Sequence, residues 1–310
     1  MAHIDVVGVG IACMDINATV TSIPKIDENV MMLDYRKQLG GTVSTALAAL
    51  QRLGMRTKYI GMLGDDEFGR PVLEGMRAEG IDVSSFRLVK GESSPFSFVM
   101  VDSMSGKRSI AYYPGCSFTV PASCIEPEAI RSARLLHVDI STPAVFAACE
   151  VARDAGVPIS VEANALYPGL EELLAGGNIF ISSREIMADL SNDKDPTSAG
   201  QKVMAEYKLD LVVVTCGADG SLAVTGGEVV SSPGFKVRVA DTTGAGDVFH
   251  GAYLCGHLKK WSLGKTLRFA NAAAAIMCTG QNGWADIPTL QQVEEFMSGH
   301  DAESGPETLS

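Results

Sequence analysis

The sequence predicts a doubly wound α/β fold: a mostly parallel sheet with helices on both faces, plus a small antiparallel β lid. Three observations predict it. Apolar runs of strand length alternate with amphipathic stretches of helix length along nearly the whole chain. One run, LDLVVVTCG at 209–217, is dense enough in Val and Leu for a strand buried on both faces. Two segments, about 16–38 and 96–113, break the alternation with short strand patterns and no helix to follow them.

Taken in order, HIDVVGVG (3–10) reads as a buried strand and VSTALAALQRLG (43–54) as a helix ended by Gly54. KYIGMLG (58–64) and EFGRPVLEGMRAEG (67–80) repeat the pair, closed by Gly80. RLLHVDI with PAVFAACEVARDAG, PISVEA with LEELLAG, and NIFIS with REIMADL continue it to residue 190. The end is helical: DVFHGAYLCGHLKK, LGKTLRFANAAAAIMCTG and LQQVEEFMSG. Strand–helix–strand units of this kind pair in parallel, because the right-handed crossover returns each strand alongside its predecessor. Of the two exceptions, the first carries Pro24 and the second is a hairpin, FSFVMVD and KRSIAYY, with Gly106 in its turn. We expect one domain over 1–300, with the two exceptional segments as its lid, and a frayed polar tail at 301–310.

Composition narrows the function. A chain of 310 residues, 46% apolar, can bury a sizeable core. Its formal charge of −12 argues against nucleic acid or an anionic membrane surface as partner, since both are polyanions. The first residues lack a basic n-region and no apolar run reaches bilayer length, so a cytoplasmic protein is expected. Seven scattered cysteines without paired spacing fit reduced, buried thiols, Cys216 and Cys278 included.

Three places could bind phosphate. Gly8-Val9-Gly10 follows a strand but lacks the third glycine and a following helix, so a dinucleotide site, and with it a nicotinamide oxidoreductase, reads poorly there. Leu263-Gly264-Lys265-Thr266 imitates the end of a phosphate loop, yet Lys259 stands where a glycine is needed. The third place is stronger. A short strand, Val237 to Ala240, leads into Asp241-Thr242-Thr243, then Gly244-Ala245-Gly246, then a helix opening at Asp247. Small residues let backbone amides approach an anion at a helix start, where the macrodipole favours negative charge. Asp247 is then either a base for an attacking hydroxyl or a plain N-cap.

DTTGAGDVFHGA resembles the C-terminal signature of the ribokinase-like, or PfkB, carbohydrate kinases. Gly40-Gly41-Thr42-Val43-Ser44-Thr45-Ala46 and then IGMLGDDEFG (60–69) resemble its N-terminal signature. The resemblance implies an ATP-dependent phosphotransferase acting on a primary hydroxyl of a sugar or sugar derivative. Asp247 would be the base, and the backbone of Gly244, Ala245 and Gly246 the anion hole. Asp15, Gly40, Gly41 and Thr45 would hold the sugar. ATP would lie along Thr215, Gly217, Gly220 and Asn271. Mg²⁺ would be held through water by Glu185, although Ser182 stands where the family often has Asn. A potassium-like ion would sit beside Asp241, Thr243 and the loop from Cys278 to Gly283.

GDVFHGA with CTGQNGWADIP looks like the fructose and sulfofructose kinase branch, while Thr45 in place of the Asn of ribokinase speaks against ribose. A sulfonate would need a fixed cation, and none follows Asp139 in sequence. Lys107 or Arg108 on the lid could meet an anionic substrate, though a solvated hairpin charge is the plainer role. The alternatives are a nucleoside kinase, with Phe96, Tyr112 and Tyr113 lining a base pocket, and a non-catalytic sugar-binding protein. The apolar lid suggests a homodimer. The five histidines show no metal-ligand spacing, so no zinc site is expected, and His250 is read as packing. Asp65-Asp66-Glu67 reads as acid at a helix start, serving the dipole.

Overall fold

In a computed structural model describing residues 3–105 and 108–303, thirteen strands and ten α-helices follow one another. β1 (Val6–Val9), β2 (Cys13–Val20) and β3 (Met32–Gly40) precede α1 (Thr42–Arg52). β4 (Thr57–Gly64), α2 (Gly69–Ala78) and β5 (Asp82–Val89) come next, then β6 (Phe96–Asp102) and β7 (Arg108–Tyr113). After α3 (Pro127–Arg131) the alternation is regular. It runs through β8 (Leu135–Val138), α4 (Pro143–Ala155), β9 (Ile159–Ala163), α5 (Leu170–Ala175), β10 (Ile179–Ser183), α6 (Arg184–Ser191), α7 (Pro196–Tyr207) and β11 (Leu211–Thr215). β12 (Ser221–Thr225), β13 (Val229–Ser232), α8 (Ala245–Leu258), α9 (Leu263–Thr279) and α10 (Leu290–Glu303) complete it.

The large sheet has the order β13-β12-β11-β10-β9-β8-β1-β4-β5. Every pairing from β10·β11 through β1 to β5 is parallel, and only the β11·β12 and β12·β13 pairings at one edge are antiparallel, which reverses β12 alone. The central strands are buried on both faces: all four residues of β1 and β8 and all five of β9. The core is split accordingly. One cluster packs α1, α2, α8 and α9 on one face, centred on Leu47, Leu50, Tyr253 and Phe269. The other packs α4, α5 and α7 on the opposite face, through Val145, Leu174 and Val203.

β3-β2-β6-β7 form the separate four-stranded sheet. Its outer pairings are antiparallel and the central β2·β6 pairing is parallel. The expected lid segments are therefore strands of one sheet. Gly106, Lys107 and most of the expected tail lie outside the described residues, the last of which, Glu303, ends α10.

Several elements went unread in the sequence: β5, α3, α7, β12 and β13. The expected strand at 237–240 is absent. That stretch has no neighbouring strand to pair with and is tied instead by the Ala240 and Asp241 amides, which both donate to the Cys278 carbonyl (2.8 and 3.3 Å). Gly8 and Gly10 serve packing. A Cβ at Gly8 would lie 2.6 Å from Leu47 Cδ1, and one at Gly10 would overlap the Asp139 carboxylate. Asp66 caps α2, accepting from the amides of Phe68 and Gly69 and from the Ser94 amide and hydroxyl.

Candidate active site

In an open parallel sheet the strand order reverses where chains leave to opposite sides, and side chains beyond the carboxyl ends of those two strands are free to line a crevice. Here the reversal falls between β1 and β8. A cavity of about 520 Å³ opens there, between Ile11 after β1, Ile140 after β8, and the small sheet above. Asp15 on β2, Arg108 on β7, Glu162 on β9 and Asp247 on α8 all face it.

Asp247 is not the helix cap. Gly244 holds that place at φ 76°, a left-handed conformation that suits glycine, and Asp247 is the third helical residue. The helix thus starts two residues before the position read from sequence. Among the described residues, the amides of Gly246 and Asp247 have no acceptor. A Cβ at Gly246 would meet nothing within 4 Å. Gly244, Gly246 and Asp247 line the cavity, whereas Ala245 turns away and its amide donates to Thr242 O (3.3 Å).

Burial pushes the Asp247 carboxyl well above the usual carboxylate range, and the charge of the hydrogen-bonded Glu162 carboxyl adds to it. Burial acts the same way on Glu162, but the imidazoles of His250 and His137 outweigh it and hold that carboxyl down. His250 is therefore more than packing: its Nδ1 lies 2.7 Å from Glu162 Oε2. Asp139 is buried at the end of β8. Burial lifts it to about 7 against hydrogen bonds from Thr42 Oγ1 and the Ile11 amide.

On the lid side, Asp15 is buried and its carboxyl is raised by that burial, against bonds from Cys13 and Ser97. Gly40 makes room for it, since a Cβ there would overlap the Asp15 carboxylate. Gly41, at φ 98°, is pressed by Ala12 Cα and Ile11 O, each 2.7 Å from a built Cβ. The two glycines thus serve close packing of protein on protein, and only Gly41 lines the cavity. Thr45 does not reach it. It is 2% exposed and its hydroxyl accepts from the Trp284 indole (3.0 Å). Arg108 does reach it, lining the wall and donating to Thr243 Oγ1 (3.4 Å), so its guanidinium is more than a solvated hairpin charge.

The remaining positions divide. Thr215 lines the cavity at the end of β11. Gly217 (φ 59°) stands in the following turn with open space around it. Gly220 (φ 102°) is packed against the backbone of Ser232 to Gly234. Asn271 is engaged internally: it accepts from Ser221 Oγ (2.9 Å) and donates to the carbonyls of Ser232 and Pro233 (3.1 and 3.2 Å). It pins α9 to the β12–β13 hairpin and presents no free carboxamide. Asp241 accepts from the Thr243 amide (2.8 Å), in a loop held to Cys278 at the end of α9. Glu185, in the first turn of α6, stays outside the cavity wall and pairs with Arg184 (3.3 Å). Ser182 is buried and donates to the Ala163 carbonyl (2.6 Å).

Known proteins resemble this chain over most of its length. A 5-dehydro-2-deoxygluconokinase of Geobacillus thermodenitrificans is 28% identical over 95% of this chain and 93% of its own. Probable fructokinase-4 of Arabidopsis thaliana is 30% identical over 86% of this chain and 89% of its own. Among solved structures, Arabidopsis thaliana ribokinase complexed with ribose and ATP superposes with a TM-score of 0.83 at 25% identity, covering 96% of this chain and 99% of that one. The family model described as pfkB family carbohydrate kinase matches residues 3–290, nearly the whole chain, and with the sheet, the lid and the open start of α8 already in place, this chain belongs to the pfkB family of carbohydrate kinases.

Proposed function

We propose that this carbohydrate kinase moves the γ-phosphoryl group of ATP to a primary hydroxyl of a sugar or sugar derivative, with Asp247 as the base. One observation carries the reading: a half-buried carboxyl stands beside two backbone amides that meet no acceptor among the described residues. A phosphoryl group in transfer spreads charge over its equatorial oxygens, and fixed amide donors meet that charge without reorganising. The high proton affinity of Asp247 suits it to take the hydroxyl proton as the oxygen attacks. Asp15, across the cavity on β2, is placed to orient substrate hydroxyls, and Arg108 is the one Lys or Arg among the described lining residues.

Mg²⁺, which offsets phosphate charge when bound, fits the chain at Glu185. That carboxylate is 69% exposed at the nucleotide side, and the Ser183 and Arg184 bonds that outweigh its partial burial keep it ionised. A potassium-like ion fits beside Asp241, Thr243 and the loop after α9. Two features support a homodimer through the small sheet in a reducing, cytoplasmic setting. Met32, Leu33, Tyr35, Ile110 and Tyr112 are exposed on that sheet, and all seven cysteines are free. We place the domain at 1–300, lid included.

A nucleoside kinase is the second reading, favoured by Phe96, Tyr112 and Tyr113 on the cavity wall. ATP consumption with Mg²⁺ and K⁺ against ketoses, aldoses, sugar acids, sugar phosphates and nucleosides tests both. A sugar hit supports the first reading and a nucleoside hit the second. Absence of ATP binding overturns both.

A further inference from the structure

Beneath Asp247 three polar side chains from three distant parts of the sequence converge. His137 on β8, Glu162 on β9 and His250 on α8 are 0%, 2% and 5% exposed. His250 Nδ1 and His137 Nε2 approach the same oxygen, Glu162 Oε2, at 2.7 and 3.2 Å. Neither ring N–H meets good hydrogen-bond geometry to that oxygen, so the three atoms face one another as ion-pair neighbours without a well-formed hydrogen bond. Leaving a buried polar atom unpaired costs about 1–3 kcal/mol, so three at one point call for a common partner.

Charge makes the same demand. Glu162, Asp247, Asp15 and Asp139 act on one another inside one buried neighbourhood. Among its described residues the cavity wall supplies no lysine, and its one arginine, Arg108, sits across on the lid. Several carboxyls so poorly countered by fixed cations favour uptake of a positive ion.

We propose that His137, Glu162 and His250 bind a divalent first-row transition-metal ion. Two imidazoles and one carboxylate suit such ions, whereas Mg²⁺ and Ca²⁺ prefer oxygen ligands alone. Ligands about 2.1 Å from a metal stand about 3.0 Å apart at right angles and about 3.4 Å apart in a tetrahedron. The 2.7 and 3.2 Å separations bracket the right-angled case, in which three ligands occupy one face and leave the other positions open. Glu162 and His250 line the cavity, so the open face looks toward it. This trio is the one His/Cys/Asp/Glu group with metal-binding geometry among the described residues, and it is separate from Glu185.

The test is metal uptake by untagged full-length protein, read without turnover, so a wrong sugar substrate or a failed kinase reading leaves it intact. Chelator-stripped protein, verified as folded by circular dichroism, is titrated with Co²⁺ and, separately, with Zn²⁺ followed by dialysis and elemental analysis. Expected are about one equivalent per chain and visible cobalt absorption that persists in excess Mg²⁺. Glu162→Gln and His250→Gln should each weaken uptake at least about a hundredfold. Folded wild-type protein that takes up no more than trace metal overturns the proposal, whatever the variants do. So does uptake unchanged in a folded His250→Gln variant. Either result would leave the trio as an ion-paired proton network.

Discussion

Helices α1 and α8 open on the same cavity, each behind a glycine with positive φ and without a side-chain cap, yet their starts differ. At α1 the space around Gly41 is filled by Ile11 and Ala12, and Ser44 N donates to Ile11 O (3.2 Å). Thr42, the first helical residue, donates its hydroxyl to the Asp139 carboxyl, while the Thr42 and Val43 amides, like those of Gly246 and Asp247, meet no acceptor among the described residues. At α8 the Gly246 position is empty of neighbours and two amides are unmet among the described residues. The two starts thus differ in room rather than in unmet amides: protein packs against Gly41, while the Gly246 position is left open beside the cavity. α2 is a second sealed case, with Asp66 as its internal anion.

The largest expected effect is on the open side. Asp247→Asn should lower kcat at least about a hundredfold while ATP binding, read by titration, stays near wild type. Turnover within a few-fold of wild type would remove Asp247 from the role of base. Gly41→Ala should act on the sealed side instead. A side chain there meets backbone 2.7 Å away at φ 98°, so a loss of about 2–4 kcal/mol is expected in denaturant unfolding. Gly246→Ala sharpens the contrast, because its Cβ meets nothing within 4 Å among the described residues. Its melting temperature should hold or rise, since Ala is the better helix former, while kcat falls about tenfold. Equal melting shifts for the two alanine variants would end the distinction.

Asp66 tests the internal anion by pH. Burial alone would raise its carboxyl, but the bonds from Ser94, Gly69 and Phe68 outweigh it and depress the folded value. Its contribution is therefore present above the unfolded carboxylate pKa, about 4, and is lost as pH falls through the lower folded value. Asp66→Asn puts an N–H₂ opposite the Ser94 amide, so we expect about 1–2 kcal/mol lost at pH 7 and a flatter acid limb of stability. The smallest effect is expected from Thr45→Val. It leaves the Trp284 indole without its acceptor, costing about 1 kcal/mol, with KM for the sugar unchanged. A large rise in KM would return Thr45 to the substrate site.

Much of the cavity was legible because its parts are contiguous in sequence. GAGD joins glycines, helix start and the proposed base in four residues, and Asp15 comes five residues after the first strand read. Strands with full apolar runs could be read; β5, alternating as DVSSFRLV, and the exposed edge strand β13 gave weaker patterns. Asn271 and Thr45 were placed by position in a motif, and their hydrogen bonds reach residues 39 and 239 places away, which no local pattern reports. The His137–Glu162–His250 trio was missed for the same reason. Its signal was nonetheless present: a histidine in RLLHVDI and a glutamate in PISVEA interrupt strands that bury every residue. A charged group inside a two-face-buried strand needs a partner.

The three residues Gly10 to Ala12 are the whole link between β1 of the large sheet and β2 of the small one. Asp15 therefore stands on the small-sheet side of the cavity, and Asp247 on the side of the large sheet and its helices. On the proposed reading, a movement of β2 would separate the carboxyl assigned to the sugar from the carboxyl assigned as the base. On that reading, opening would itself dismantle the acceptor site, and product release would need no separate gate.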